Sequence, residues 1–181
     1  MVMPDTGERV SRRKAIAATG LAGVGSLAGC LGFLIVENDE VEIVSDLTVG
    51  VGPDRADDFD PQLGHIEEGG SVTFEWRSGN HDVTSFHIEN DVPDRAPEGT
   101  IPFSQDLQGP GEELAVDLDE EGIYDVLCVR HERVGMGMKL IVGWPDPDDQ
   151  PGLAPPQEAL SDAMQERLGE LNEMALEILT E

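Results

Sequence analysis

Tyr124-Asp-Val-Leu-Cys128-Val-Arg-His131-Glu-Arg-Val-Gly-Met136-Gly-Met138 puts a thiol, an imidazole and a thioether into one short loop leaving a strand. Tyr124, Val126 and Cys128 alternate with Asp125, Leu127 and Val129, the two-residue period of a strand with Cys128 near its end. The chain returns through Met138-Lys-Leu-Ile-Val142, which reads as a second strand. Taken singly, these residues have ordinary uses, since a lone Cys at a strand end is commonly a buried small hydrophobe and a lone His a surface residue. In C-x-x-H-x-x-x-x-M spacing between two strands they read instead as a soft metal site, with His81 upstream as the best-placed further donor. A trigonal His₂Cys set with a long axial Met is the ligand chemistry of an electron-transfer copper centre.

Outward from this loop the chain reads as short strands separated by turns. Val41 to Val49 is a first strand, and the Gly, Pro and Asp of residues 50–60 make a loop. Phe59 to Ile66, a turn at Glu67-Glu-Gly-Gly70, and Ser71-Val-Thr-Phe-Glu-Trp76 read as a hairpin, with Val72, Phe74 and Trp76 on one face. His81 to His87 is a short strand followed by a long loop, and Leu114 to Leu118 alternates again before the ligand strand. This pattern predicts an all-β, Greek-key β-sandwich, in which segments distant in sequence meet at one end. His65, just before a tight turn and without a soft partner nearby, reads as a surface residue. His87 competes with His81, because positions 81 and 87 share strand parity. Met138 competes with Met136, but it begins the next strand, which leaves Met136 freer to approach a metal.

With Asn80-His81-Asp82-Val83 upstream, the loop resembles the plastocyanin-like blue copper proteins, the cupredoxins, and most closely the halocyanins of salt-loving archaea, over roughly Val41 to Val142. The resemblance implies one copper per chain, cycling between Cu(II) and Cu(I). It implies His81, Cys128 and His131 as strong ligands and Met136 as the axial one, and it favours His81 over His87. His131 would be the ligand nearest solvent, with Gly135 and Met136 on the rim where a redox partner docks. The function so implied is a one-electron carrier and not an enzyme. Competing readings are a copper storage or delivery protein with the same site, and a metal-free binding module on the same sandwich. Two positions depart from the family's habit: Arg130 stands where Pro often precedes the second His, and Asp82 where Asn often follows the first.

The 181 residues carry 38 Asp plus Glu against 11 Lys plus Arg, a formal net charge of -27. Such a charge excludes a general nucleic-acid binder and is repelled by an anionic membrane surface. Acids spread over the whole folded part fit a high-salt setting, where screening removes the self-repulsion.

The ends of the chain read differently from its middle. Ser11-Arg12-Arg13-Lys14 before an uncharged Ala- and Gly-rich run looks like a twin-arginine export signal, and Leu27-Ala-Gly-Cys30 resembles a lipobox with Cys30 as the lipidated residue. An uncleaved anchor helix is the alternative. Both place the domain on the outer face of the cell membrane, tethered; a monomer with redox partners among membrane respiratory components is expected. The chain has two Cys, each with its own task, so no disulfide is expected. The expected organisation is a signal over 1–29, a tether over 30–40, a copper domain over 41–144, a Pro-rich linker over 145–156 and an amphipathic helix over 157–181. That helix starts near Pro156 and Glu158, and its stripe of Leu160, Met164, Leu168, Leu171, Ala175 and Ile178 reads as a face docked on its own domain.

Overall fold

The computed structural model describes residues 41–180. The expectations for residues 1–40, the signal and the Cys30 lipidation site, lie outside the described residues. Among the described residues, eight strands run as β1 Ile43–Val51, β2 Phe59–Asp60, β3 Leu63–Trp76, β4 His81–Ser85, β5 Ser104–Gln108, β6 Glu113–Leu118, β7 Gly122–Leu127 and β8 Gly137–Val142, and one α-helix, α1, spans Asp162–Thr180. They hydrogen-bond in the order β2-β1-β3-β8-β7-β4-β5, with β6 added to β3. The all-β sandwich with a C-terminal helix is therefore the observed fold.

The expected hairpin at Glu67 to Gly70 is instead one continuous strand. β3 pairs in parallel with β8 through its first half, Leu63 opposite Lys139 to Ile66 opposite Val142, and antiparallel with β6 through its second half. β1 follows both halves, with a register shift between Val44 and Asp46. The two glycines serve this passage from one layer to the other and not a chain reversal. Gly69 holds φ at 78°, and a Cβ on Gly70 would run into the Ser45 carbonyl oxygen.

β7 and β8 are buried on both faces, and the reason lies in the period-two alternation. Tyr124, Val126, Cys128, Met138, Leu140 and Val142 enter the sandwich core with Val72, Phe74 and Trp76. The opposite face carries Ile123, Leu127 and Ile141, which α1 covers: Met164 and Leu168 pack with Leu127 and Phe86, and Leu171 and Ala175 with Leu63, Ile123 and Ile141. Each such apolar side chain contributes about 1.5–3 kcal/mol on full burial, which is what docks a short helix. α1 starts at Asp162, later than the sequence pattern placed it, because Ser161 is its cap: the Met164 N–H donates to Ser161 Oγ at 3.3 Å.

The same outer face holds two charged residues, and a strap of residues 145–156 closes over them. Asp125 accepts from Arg95 Nε at 2.7 Å and from Lys139 Nζ at 2.5 Å, with all three side chains inaccessible to solvent. Both cations also donate to the Gly152 carbonyl, at 2.5 Å and 2.9 Å. The strap is thus fastened to β7 and β8 by a buried ionic knot.

His65 is buried, contrary to its reading as a surface residue. It is 2% exposed, its Nε2 lies 2.7 Å from the Gly143 carbonyl oxygen, and its ring stands edge-on to Trp144 at 4.7 Å. The parallel pairing of β3 with β8 brings it there, opposite Ile141.

Candidate metal centre

β4 and β7 end side by side, with Thr84 opposite Leu127, so the residues at their ends converge. His81 opens β4, and the Trp76 indole fixes it from the core by donating to the His81 carbonyl oxygen at 2.8 Å. Cys128 follows β7, and the chain then winds through a 3₁₀ segment, Val129–Val134. This turn closes on itself: the His131 N–H donates to the Cys128 carbonyl oxygen at 3.1 Å, and the Gly135 N–H to that of Glu132 at 3.0 Å.

Three side chains meet there. One donor atom each from His81, Cys128 and His131 lie within 4.8 Å of one another. The two Nδ1 atoms are 3.1 Å apart, and Cys128 Sγ is 3.4 Å from His131 Nδ1. Their outer ring nitrogens have other neighbours: His81 Nε2 lies 3.2 Å from Ser78 Oγ, and His131 Nε2 lies 3.5 Å from Asp57 Oδ1. Partners on Nε2 leave Nδ1 as the donor aimed at the cluster, the arrangement that orients metal-bound histidines. Nothing in the loop sequence of residues 50–60 singles out Asp57.

Asp82 joins the two ligand-bearing segments. Its carboxylate accepts from the Val129 N–H at 2.8 Å, the Arg130 N–H at 3.2 Å, Thr84 Oγ1 at 3.1 Å and the Cys128 thiol at 3.1 Å. Its own N–H donates to Cys128 Sγ at 3.4 Å. Burial pushes the Cys128 thiol up to about 12; the Asp82 N–H works against the rise and the Asp82 carboxylate adds to it. Burial, followed by the neighbouring His131, lowers the pKa of His81, so its lone pair is free near neutrality.

His87 stands apart from the cluster: its Nδ1 accepts the Glu89 N–H at 3.2 Å and caps the turn at Ile88–Asn90. Met136 and Met138 are both fully buried in the core. Met138 lies opposite Val126 in the ladder, whereas Met136 precedes β8, its N–H donated to the His131 carbonyl and its carbonyl taking the Cys128 N–H. His131 is the more open histidine, with 15% of its side chain exposed. Gly135 and Met136, expected on the rim, are buried; the exposed residues of the loop are Val129, Arg130, Arg133 and Val134, the two valines at 52% and 59%. Gly135 is sealed by the first turn of α1, since a Cβ there would lie 2.8 Å from the Ala163 carbonyl oxygen.

A sandwich that brings two imidazole nitrogens and a thiol together at one end, over a buried thioether-bearing core, has the architecture of a cupredoxin. The sequence model of the copper-binding plastocyanin/azurin family matches residues 48–143, and the chain belongs to that family. It is similar to plastocyanin of Sambucus nigra, 33% identical over 94 residues that cover 50% of this chain and 93% of the relative. Chloroplastic plastocyanin of Fritillaria agrestis is 32% identical over 94 residues, 50% of this chain and 55% of the relative's length. Among solved structures, a pseudoazurin from Sinorhizobium meliltoi superposes with a TM-score of 0.58 at 20% identity, covering 74% of this chain and 98% of its own. Pseudoazurin from Methylobacterium extorquens AM1 gives 0.57 at 24% identity, with 72% and 98% covered. These two likenesses show the fold. The borderline and soft donors present fit copper, one ion per chain.

Proposed function

We propose that this chain is a one-electron carrier built on a type 1 copper site, with His81, Cys128 and His131 as the strong ligands and Met136 as the axial one. The observation that carries the reading is the convergence of His81 Nδ1, Cys128 Sγ and His131 Nδ1 at the end of a rigid sandwich. Copper bound there supplies a one-electron couple whose potential follows the axial ligand and the hydrogen bonds around the thiolate. The protein's part is to hold donors still. Asp82 locks the Cys128 side of the loop to β4, Ser78 and Asp57 orient the two imidazoles, and the core excludes water from the buried thiol. Four donors fill the coordination sphere, which favours a carrier over an enzyme that would need an open position.

Electrons pass through the His131 edge, the more open of the two imidazoles, with Val129 and Val134 as the apolar surroundings a redox partner meets. Within the family, the acid excess and the pattern of residues 1–40 favour a halocyanin-type, salt-adapted protein exported with a twin-arginine signal and lipid-anchored at Cys30 on the outer face of the membrane. Its partners there would be respiratory redox proteins.

Protein-film voltammetry of the copper-loaded chain tests the carrier reading. A reversible one-electron wave is expected. Copper that passes rapidly to a small chelator, with no reversible wave, would replace this reading with copper storage or delivery.

A further inference from the structure

The ligand loop has two edges, and each has its own set of hydrogen-bonded contacts. On the Cys128 side, Asp82 takes the amides of Val129 and Arg130. On the Met136 side, the loop meets α1, which lies outside the residues matched by the family model. The Ser161 N–H donates to Glu132 Oε1 at 2.6 Å, and the Ser161 hydroxyl donates to the Glu132 carbonyl oxygen at 2.9 Å. That carbonyl is also the acceptor of the Gly135 N–H. Behind it, Gly135 abuts Ala163, and a Cβ on Gly137 would sit 3.0 Å from the sulfur of buried Met164. Glu132 itself lies between His131 and Met136 in the sequence, and Met136 N–H donates back to the His131 carbonyl at 3.2 Å.

Helix capping explains only part of this arrangement. Ser161 Oγ already caps the helix by accepting from Met164 N–H. The two bonds to Glu132 add a connection to the loop that a cap does not require. Opposite them, Val129 and Val134 face solvent, so the outer side of the loop has little packing to fix it.

We infer that α1 is a working part of the metal centre: Ser161 and Glu132 are positioning residues that hold the His131-to-Met136 segment in ligating geometry. The inference rests on the copper reading proposed above. Its consequence is that loosening the clasp changes the ligand set's rigidity while leaving the four donors and the helix in place.

The test uses the full chain with Ser161→Asp, Glu132→Ala and Glu132→Gln. Asp keeps a good helix cap but lacks the hydroxyl donor and sets a carboxylate against Glu132; Gln keeps an acceptor oxygen for the Ser161 N–H. Two readouts are taken: amide hydrogen exchange at Gly135 and Met136 in the metal-free chain, and the visible spectrum and copper release rate of the loaded chain. Ser161→Asp and Glu132→Ala are expected to speed exchange about tenfold, the effect of one ordinary hydrogen bond, with unchanged helix content. They should also shift the visible band and speed copper release, while Glu132→Gln stays close to the parent. Unchanged exchange and an unchanged spectrum in both disruptive variants would overturn the inference, as would a Glu132→Gln variant as loose as Glu132→Ala. Exchange is read without metal, so a parent that takes up no copper would sink the carrier reading and leave exchange to decide the clasp.

Discussion

The Cys128 thiol donates to the Asp82 carboxylate at 3.1 Å, and the Asp82 N–H donates to Cys128 Sγ at 3.4 Å, so the residue after one histidine grips the thiol from both its backbone and its side chain. The same carboxylate takes two amides of the ligand loop. One anionic side chain therefore fixes the distance between β4 and the loop and sets a negative charge beside the thiol.

Asp82→Asn tests that charge. An anion this close favours the more positive oxidation state, and an amide N–H offered to the sulfur would withdraw electron density, so both changes push the same way. Voltammetry should show a higher reduction potential in the variant. Asn offers one acceptor oxygen in place of two, and losing a charge-assisted bond should cost about 1–2 kcal/mol of stability in urea. A lower potential would contradict this role.

Met136→Leu and Met138→Leu separate the two buried thioethers. Removing an axial donor takes away a stabiliser of Cu(II), so Met136→Leu should raise the potential; Met136→Gln, with a harder oxygen donor, should lower it. Met138→Leu keeps volume and polarity in the ladder opposite Val126 and should cost less than about 1.5 kcal/mol without moving the potential. The reverse pattern in voltammetry would transfer the axial role to Met138.

Asp125→Ala leaves Arg95 and Lys139 buried without their carboxylate. Breaking a buried ion pair from one side costs about 3–5 kcal/mol. Urea denaturation should show a loss of that size, and limited proteolysis should open the strap at residues 145–156, since Gly152 is held by the same two cations. A variant as stable as the parent would remove the knot from the account of how the strap and α1 are docked.

Tyr124 gives a pH dependence at the far end of the sandwich. Burial, with Glu120 and then Asp119 adding repulsion, raises its pKa to about 12, and its hydroxyl donates to the Glu120 carbonyl oxygen at 2.7 Å. The folded chain keeps this proton at a pH where the unfolded chain has lost it, so the contribution is intact below about 10 and is lost as pH rises toward 12. Two pH units correspond to about 3 kcal/mol. The chain has a single tyrosine, so phenolate absorbance reports it alone. Its midpoint should lie near 12 in the folded chain, and Tyr124→Phe should flatten the alkaline loss of stability; a folded-state midpoint near 10 would contradict the assignment.

The metal loop is legible because Cys128 and His131 sit three residues apart on a strand and its exit, where spacing and geometry coincide. His81 was harder, since strand parity treats 81 and 87 alike; the structure separates them because β4 stops at Ser85 and His87 turns away to cap the next segment. Gly69-Gly70 misled in the opposite direction. The same residue pair serves a hairpin turn or a kink between layers, and only the pairing of β3 with both β8 and β6 distinguishes them. His65 is buried for a related reason, its partner Gly143 following directly on a parallel strand remote in sequence. The buried knot leaves a faint trace: Asp125 and Lys139 are charged residues within otherwise apolar strands, and the alternation puts them on the face that α1 and the strap cover.

A copper(II) titration of the metal-free chain, followed by visible absorption, tests the centre most directly. The parent should develop an intense visible band that saturates at one copper per chain, the signature of a Cu(II)-thiolate site of this class. His87→Ala should keep the band, and Cys128→Ser and His81→Ala should lose it. A parent without the band, or a chain that keeps it in His81→Ala and loses it in His87→Ala, would contradict the centre built from His81, Cys128 and His131.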